Sequence, residues 1–281
     1  MPAGLAFTLY APLAGMGDLA VGERRGGFDR PARSAILGLV AACLGIDRAD
    51  EAGHAALDRS YRLAMRLRVA GSLIEDYHTV QAPAADRKAR WATRREALNA
   101  PALNTLLSWR EYRADPAVDV VLIHLGGEPG PDAVAAALQR PAYAPYFGRK
   151  SCPLGLPIRP LWSQTVTRVA QLLSTLEETF VTLVPGETDG RDPIADILTD
   201  LRQAHGLDPH GLDPHGLATS PVYADADLIG RGGGLTDMLA PDYEVLRIER
   251  RRDRVASRGR WQFALRDEAV AVPAGGVRSL S

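Results

Sequence analysis

Ten consecutive uncharged residues, Ala35-Ile36-Leu37-Gly38-Leu39-Val40-Ala41-Ala42-Cys43-Leu44, constrain this chain more than any other stretch. Read as a helix, the segment is apolar on almost every face, so it must pack against neighbours on most sides. Pro31 suits the helix entrance because its missing N–H has no intrahelical partner to lose. Ser34 or Asp29 can cap the nearby free amides, and Gly45 suits the left-handed position that ends a helix. Upstream, the apolar run 5–10 reads as a strand and the Gly- and Arg-rich stretch 11–30 as a loop. Arg24, Arg25, Arg30 and Arg33 lie on the approach to the helix start. Free N–H groups and a partial positive charge there suit an anion, most simply a phosphate. The same loop also reads as a solvated turn in which Glu23 and Asp29 pair with some of the arginines.

With 281 residues the chain is long enough for one large domain or two small ones, and 46% hydrophobic residues suit a folded protein. A formal net charge of −1 excludes a wholesale polyanion binder, so any nucleic-acid surface must be local. Cys43 and Cys152 are too far apart for a metal or redox motif, which points to a reducing, cytoplasmic compartment without structural disulfides. Cys43 reads as core. The apolar start lacks the basic leader of a signal peptide, and no apolar run approaches membrane-spanning length. No cofactor or metal is expected.

Further along, 47–59 reads as a short helix. In 61–69, Tyr61, Leu63, Met65, Leu67 and Val69 alternate with Arg62, Ala64, Arg66 and Arg68, a strand whose arginine face reads as solvated. Residues 73–80 read as a returning strand, 98–107 as a short helix, 109–112 and 118–125 as strands, and 131–139 as a helix with Pro131 at its start. A strand near 156–162 completes a βαββαβ order. The fold class is therefore α+β, ferredoxin-like or RRM-like.

Candidate contacts for a nucleic acid or other polyanion gather in five places. Arg24, Arg25, Arg30, Arg33 and Ser34 surround the first helix entrance. Tyr77 and His78 can position a nucleotide, serve structure, or do acid–base work on a 2′-hydroxyl. The stretch 81–108 holds Arg87, Lys88, Arg90, Arg94 and Arg95 against Asp86 and Glu96, a local charge of +3, with Trp91 among them. That composition suits phosphates plus a base stack. Trp109, Arg110 and Tyr112 follow; Arg110 can stack on a base or fork onto a phosphate, and Glu111 can neutralise it. In the Pro- and aromatic-rich tract 140–154, Gly148 permits close backbone approach, and Arg149, Lys150 and Ser151 supply phosphate donors. Tyr143 and Tyr146 read as packing groups.

The C-terminal half shows less pattern. Residues 164–178 and 194–204 read as helices and 180–184 as a short strand. His205, His210 and His215 sit in a repeated Gly-Leu-Asp-Pro-His unit that matches no zinc-ligand spacing and reads as a surface linker. Residues 243–249 and 261–265 read as paired strands joined by a basic turn from Arg250 to Arg260, solvated by default or in contact with RNA or a subunit.

Four of these stretches resemble one family. They are 26–46, Asp76-Tyr77-His78-Thr79-Val80, Trp109-Arg110-Glu111-Tyr112 and 140–154. They are similar to CasD, the Cascade subunit of type I-E CRISPR systems within the RAMP superfamily of RNA-binding proteins. The resemblance covers about the first 160 residues. It implies an RRM-like RAMP domain over 1–162, with 81–108 as a projecting thumb hairpin. A less regular β-rich region over 163–281 would carry an insertion at about 185–242. It further implies a non-catalytic subunit that grips the 5′ handle of the CRISPR RNA and caps the Cascade backbone in antiviral defence. Such a subunit would touch the adjacent backbone subunit and the large subunit, and target DNA only indirectly. Metal-independent cleavage of precursor RNA by Tyr77, His78 and Lys88 is the alternative. Met16 stands where the family has an aromatic residue.

Overall fold

A computed structural model describes residues 1–17, 22–84, 90–182, 220–230 and 237–274, with the backbone alone described at 178–182. The first apolar run forms β1 (Ala3–Tyr10), followed by the short β2 (Leu13–Ala14) and β3 (Arg24–Arg25). The uncharged segment is α1 (Arg33–Leu44). Gly45 closes it at φ 77°, its N–H returning to the carbonyls of Ala41 and Ala42. The helix start departs from expectation: neither Ser34 nor Asp29 caps it. The N-cap is Ala32, without a side-chain bond, and the Arg33 backbone N–H donates instead to Asp253 Oδ2 at 2.9 Å.

The chain continues through α2 (Glu51–Ser60), β4 (Tyr61–Val69), β5 (Ser72–Pro83), α3 (Arg94–Leu98) and β6 (Leu103–Ala114). Then come β7 (Ala117–His124), α4 (Pro131–Gln139), β8 (Leu161–Ser163) and α5 (Val169–Thr182). A four-residue strand, β9 (Val222–Asp225), leads by a 3₁₀ turn towards β10 (Tyr243–Ser257) and β11 (Gln262–Pro273).

The main sheet has seven antiparallel strands in the order β10-β11-β9-β4-β7-β1-β8. Within it β1 and β4 run the same way with β7 between them, the arrangement produced when a helical connection leaves space for a later strand. β7 is central and apolar, as its run of Val and Ile requires. One face packs Leu5, Phe7, Leu9, Leu63, Met65 and Leu122 against α1 and α4. The other packs Ala6, Ala64, Val121 and Ile123 against Leu172, Leu173 and Leu176 of α5. The molecule is thus mixed α/β, and its sheet draws strands from both sides of residue 162.

Several expectations are corrected. Residues 103–107 are strand rather than helix, because β6 pairs with β5 along its whole length, from Ser72 opposite Ala114 to Pro83 opposite Leu103. Residues 180–182 extend α5 instead of starting a strand. The run Arg250-Arg251-Arg252-Asp253-Arg254 is strand, not turn; the turn is 258–261. Residues 222–225, expected within an insertion, are built into the main sheet between β4 and β11. The arginine face of β4 is not solvated. Arg66 and Arg68 are buried and converge on Asp119, which is fully enclosed; Arg66 Nη2 lies 2.8 Å and Arg68 Nε 3.0 Å from its oxygens. Thr8 Oγ1 donates to the same carboxylate at 2.7 Å, and Arg66 also reaches Glu177 on α5. The coverage comes from α5, whose sequence position gives no hint of this partnership. The expected helix 194–204 and the histidine repeat lie outside the described residues.

Candidate nucleic-acid interface

A groove of about 1300 Å³ runs between α1, the loop carrying β3, the 143–153 tract and the β10–β11 hairpin. Its lining holds eight basic side chains against two acidic ones. On a chain of net charge −1 that is a strong local excess.

Its walls are built by specific close contacts. The Met16 carbonyl accepts from Phe28 N at 2.8 Å, and Glu111 Oε2 accepts from Gly27 N at 2.7 Å, pinning the β3 loop to β6. β3 runs parallel to β6, with Arg24 opposite Trp109 and Arg25 opposite Arg110. Gly15 N donates to the Phe147 carbonyl at 3.0 Å, and Gly148 sits at φ 86° where a Cβ would overlap the Gly15 oxygen. Only glycine lets the two loops close on each other there.

The structure brings Arg25, Ser34, Arg110, Arg149 and Lys150 together in the groove lining. Arg149 lies 4.4 Å over the buried ring of Tyr112 and donates to the Glu111 carbonyl at 3.2 Å. Glu111 therefore does not neutralise Arg110: its carboxylate accepts from Gly27 N–H, and Arg110 Nε donates to Ser108 Oγ at 3.4 Å. Among the described residues Arg25, Arg110, Arg149 and Lys150 form no ion pair with a carboxylate. These are cations free to meet phosphate.

Other expected contacts lie elsewhere. Arg24 is exposed beside the groove, 3.7 Å from Glu75 and 5.8 Å from the Trp109 ring centre. Tyr77 packs against Trp109 with ring centres 5.2 Å apart, on the β5–β6 hairpin outside the groove lining. His78 Nε2 is 2.6 Å from Asp76 Oδ2, an ion pair only when the imidazole is protonated. Ser151 is exposed just past the lining, its hydroxyl 3.9 Å from Cys152 Sγ. Arg90 is exposed near the hairpin tip, and Arg87 and Lys88 lie outside the described residues.

Arg30 and Arg33 are corrected outright as RNA contacts. Both are buried. Arg30 pairs with Asp29, Glu249 and Glu268 and lies 4.0 Å over Tyr223; Arg33 pairs with Asp58 and Asp225 and donates to the Tyr61 carbonyl. Burial alone would lower both guanidinium pKa values, but the surrounding carboxylates raise them, so they stay charged as internal ties. The anion at the start of α1 is the protein's own Asp253. Burial works to raise that carboxyl's pKa. Hydrogen bonds and charge from Arg266, with the Arg33 N–H, outweigh it and hold the group below the ordinary carboxylate value.

The sequence reading missed Arg48 and left the basic stretch from Arg250 to Arg260 open between a solvated turn and an RNA or subunit contact. Arg48, Arg252, Arg258 and Trp261 all face the groove. Among them only the Arg-Gly-Arg-Trp composition of the turn gave a signal. Tyr143 and Tyr146, expected to pack, are exposed on the lining. Met16 is buried on the same lining. Cys43 is core; burial raises its thiol pKa to about 11. Cys152 is buried and unpaired. No helix among the described residues is long and apolar enough to cross a membrane.

A family model described as CRISPR-associated protein (Cas_Cas5) matches residues 4–208. The chain belongs to this CRISPR-associated family. Over 140 residues it is 34% identical to the CRISPR system Cascade subunit CasD of Escherichia coli K12, an alignment covering 46% of the chain and 57% of that relative. The chain thus matches little more than half the length of this CasD. Two solved structures share the fold. One, from a CRISPR RNA-guided surveillance complex, has TM-score 0.53 and 20% identity, covering 96% of this chain and 90% of the other. The second, a Cas protein crystal structure, has TM-score 0.50 and 19% identity, covering 98% and 97%. The Cas5 family match ends before β9, so the β10–β11 wall of the groove lies beyond it.

Proposed function

We propose that this chain is a non-catalytic subunit of a Cascade-type CRISPR surveillance complex and holds the 5′ handle of the CRISPR RNA in the groove. The observation that carries this reading is the convergence of Arg25, Arg110, Arg149 and Lys150, none paired with a carboxylate among the described residues. Phosphate contacts of this kind fix position without reading sequence, which suits a subunit that delegates target choice to base pairing. The order β1–α1–α2–β4–β7–α4–β8 supports reading the N-terminal body as ferredoxin-like. The β5–β6 hairpin is then the thumb, longer than expected because its strands span Ser72–Pro83 and Leu103–Ala114.

The hairpin also exposes Ile74, Val80 and Leu106 on one face, an apolar strip suited to an adjacent backbone subunit. The chain would cap that backbone and touch the large subunit. Tyr77 and His78 stand outside the groove lining, engaged with Trp109 and Asp76, which favours holding over cutting. The test is incubation of purified protein with labelled repeat RNA in EDTA. Retention of intact RNA in a complex is expected; specific cleavage abolished by His78→Ala would sink the proposal.

A further inference from the structure

The turn joining β10 to β11 is shaped around Trp261. Its φ of 53° is a conformation that bulky residues rarely adopt, yet the residue is 57% exposed. A turn that bears strain to keep a tryptophan outside the core is holding the ring where something can reach it.

The surroundings say what. Arg48, from the loop between α1 and α2, places its guanidinium 4.3 Å from the Trp261 ring centre, and that of Arg258 lies 5.9 Å away. Arg48 Nε is 3.5 Å from the Arg258 carbonyl. Arg258 is tucked onto α1, donating to the Ser34 carbonyl at 2.5 Å, and it fits because residue 38 is glycine: a Cβ there would overlap Nη2. The nearby acid is already used. Glu51 accepts from Ser257 Oγ at 2.7 Å, Gly259 N at 2.9 Å and Arg258 N at 3.2 Å, so its charge fixes the turn's backbone. Neither guanidinium pairs with a carboxylate among the described residues. Burial pulls Arg258 below the usual guanidinium pKa, and Arg48 adds to the pull against Tyr146. Two uncompensated cations held together by the fold favour an anion between them.

We infer that Arg48, Arg258 and Trp261 form a nucleotide subsite, in which the two guanidinium groups hold one RNA backbone phosphate and the Trp261 ring stacks the adjoining base. This inference rests on the groove being the RNA site. It adds a position contributed by the β10–β11 wall, in the part of the chain the family match does not reach. A cation pair beside an exposed indole is the general chemistry of single-strand binding.

The experiment is fluorescence anisotropy with single-stranded RNA carrying the repeat-derived handle, over a salt series, on the full chain. Arg48 is exposed, so Arg48→Gln leaves the fold intact; Trp261→Asn removes the ring while tolerating the positive φ. Each is expected to weaken binding about tenfold, the order of one phosphate or one stacked base. Arg48→Gln is expected to reduce the salt slope by about one, and Trp261→Asn to leave it unchanged. Arg110→Ala is run alongside. If Arg110→Ala weakens binding while Arg48→Gln and Trp261→Asn do not, the subsite is wrong and the groove reading stands. If none of the three changes affinity, both fall.

Discussion

Asp253 of β10 closes the start of α1, its Oδ2 2.9 Å from the Arg33 backbone nitrogen. The same carboxylate holds Arg266 through both oxygens, at 2.6 and 3.0 Å. A C-terminal strand therefore supplies the negative charge that an isolated reading of the helix entrance assigns to a bound phosphate. The groove opens beside this closed position.

Replacing Asp253 by Ala removes the cap and two ion-pair hydrogen bonds while leaving Arg266 with Asp225 and Glu268. A loss of roughly 1–3 kcal/mol is expected, the range for a helix cap plus buried charged hydrogen bonds. Urea unfolding with an unchanged m-value is the measurement. A midpoint equal to that of the unmodified chain would refute the capping role.

Asp119 is more demanding. Asp119→Ala takes from the buried Arg66 and Arg68 the carboxylate they share, while Glu177 stays beside Arg66. Breaking a buried pair by removing one partner costs about 3–5 kcal/mol. Much of a domain's usual margin would be lost, and insoluble expression or a steep fall in Tm is expected.

Acid should unfold the protein through the same groups. For Asp119 and Asp253 burial pushes the carboxyl up, but the arginine partners more than offset it, and both lie below their ordinary value of 3.8 when folded. As pH falls the unfolded chain takes up these protons first. Their contribution is therefore complete above the ordinary value and drains as the pH drops past it through the folded values. Thermal melts across pH 7 to about 3 should show Tm nearly flat and then falling below about pH 4. A decline centred near neutral pH would contradict this assignment.

Arg110→Ala and the pair Arg149→Ala with Lys150→Ala should each weaken handle RNA binding by about ten- to a hundredfold, since each removes charge-assisted phosphate contacts. The loss should be greatest at low salt, where those contacts are least screened. Filter binding across a salt series tests it; unchanged affinity in all three positions would remove the site.

Gly148→Ala is a structural test of the groove. The φ of 86° and the overlap with the Gly15 carbonyl forbid a Cβ without moving one loop. The chain should still fold around its sheet, with RNA affinity falling about tenfold as Arg149 and Lys150 shift away from the lining.

Much of the framework was legible because its signals are local. Pro131 and Asp132 open α4, the Val and Ile run is β7, and the uncharged segment with Gly45 is α1. What escaped depends on partners far apart in the chain. Arg66 and Arg68 look solvated until Asp119 and Glu177 are placed against them. In β10, Arg251 and Asp253 are buried while Arg250, Arg252 and Arg254 are exposed, a period-two pattern hidden by the likeness of the side chains. β9 is four residues long and declares itself only by pairing with β4 and β11. In the groove, Arg149 and Lys150 stand in a basic tract visible in the sequence and Arg110 in a stretch marked by family resemblance, whereas Arg48 and Trp261 are brought together only by the fold.

The two sides of the groove come from stretches far apart in the sequence: α1 is translated well before the β10–β11 hairpin. A nascent chain that stops before residue 243 has one bank of the channel and an open helix end. Under the proposed RNA-holding role, a guide would be gripped only after both banks have been translated.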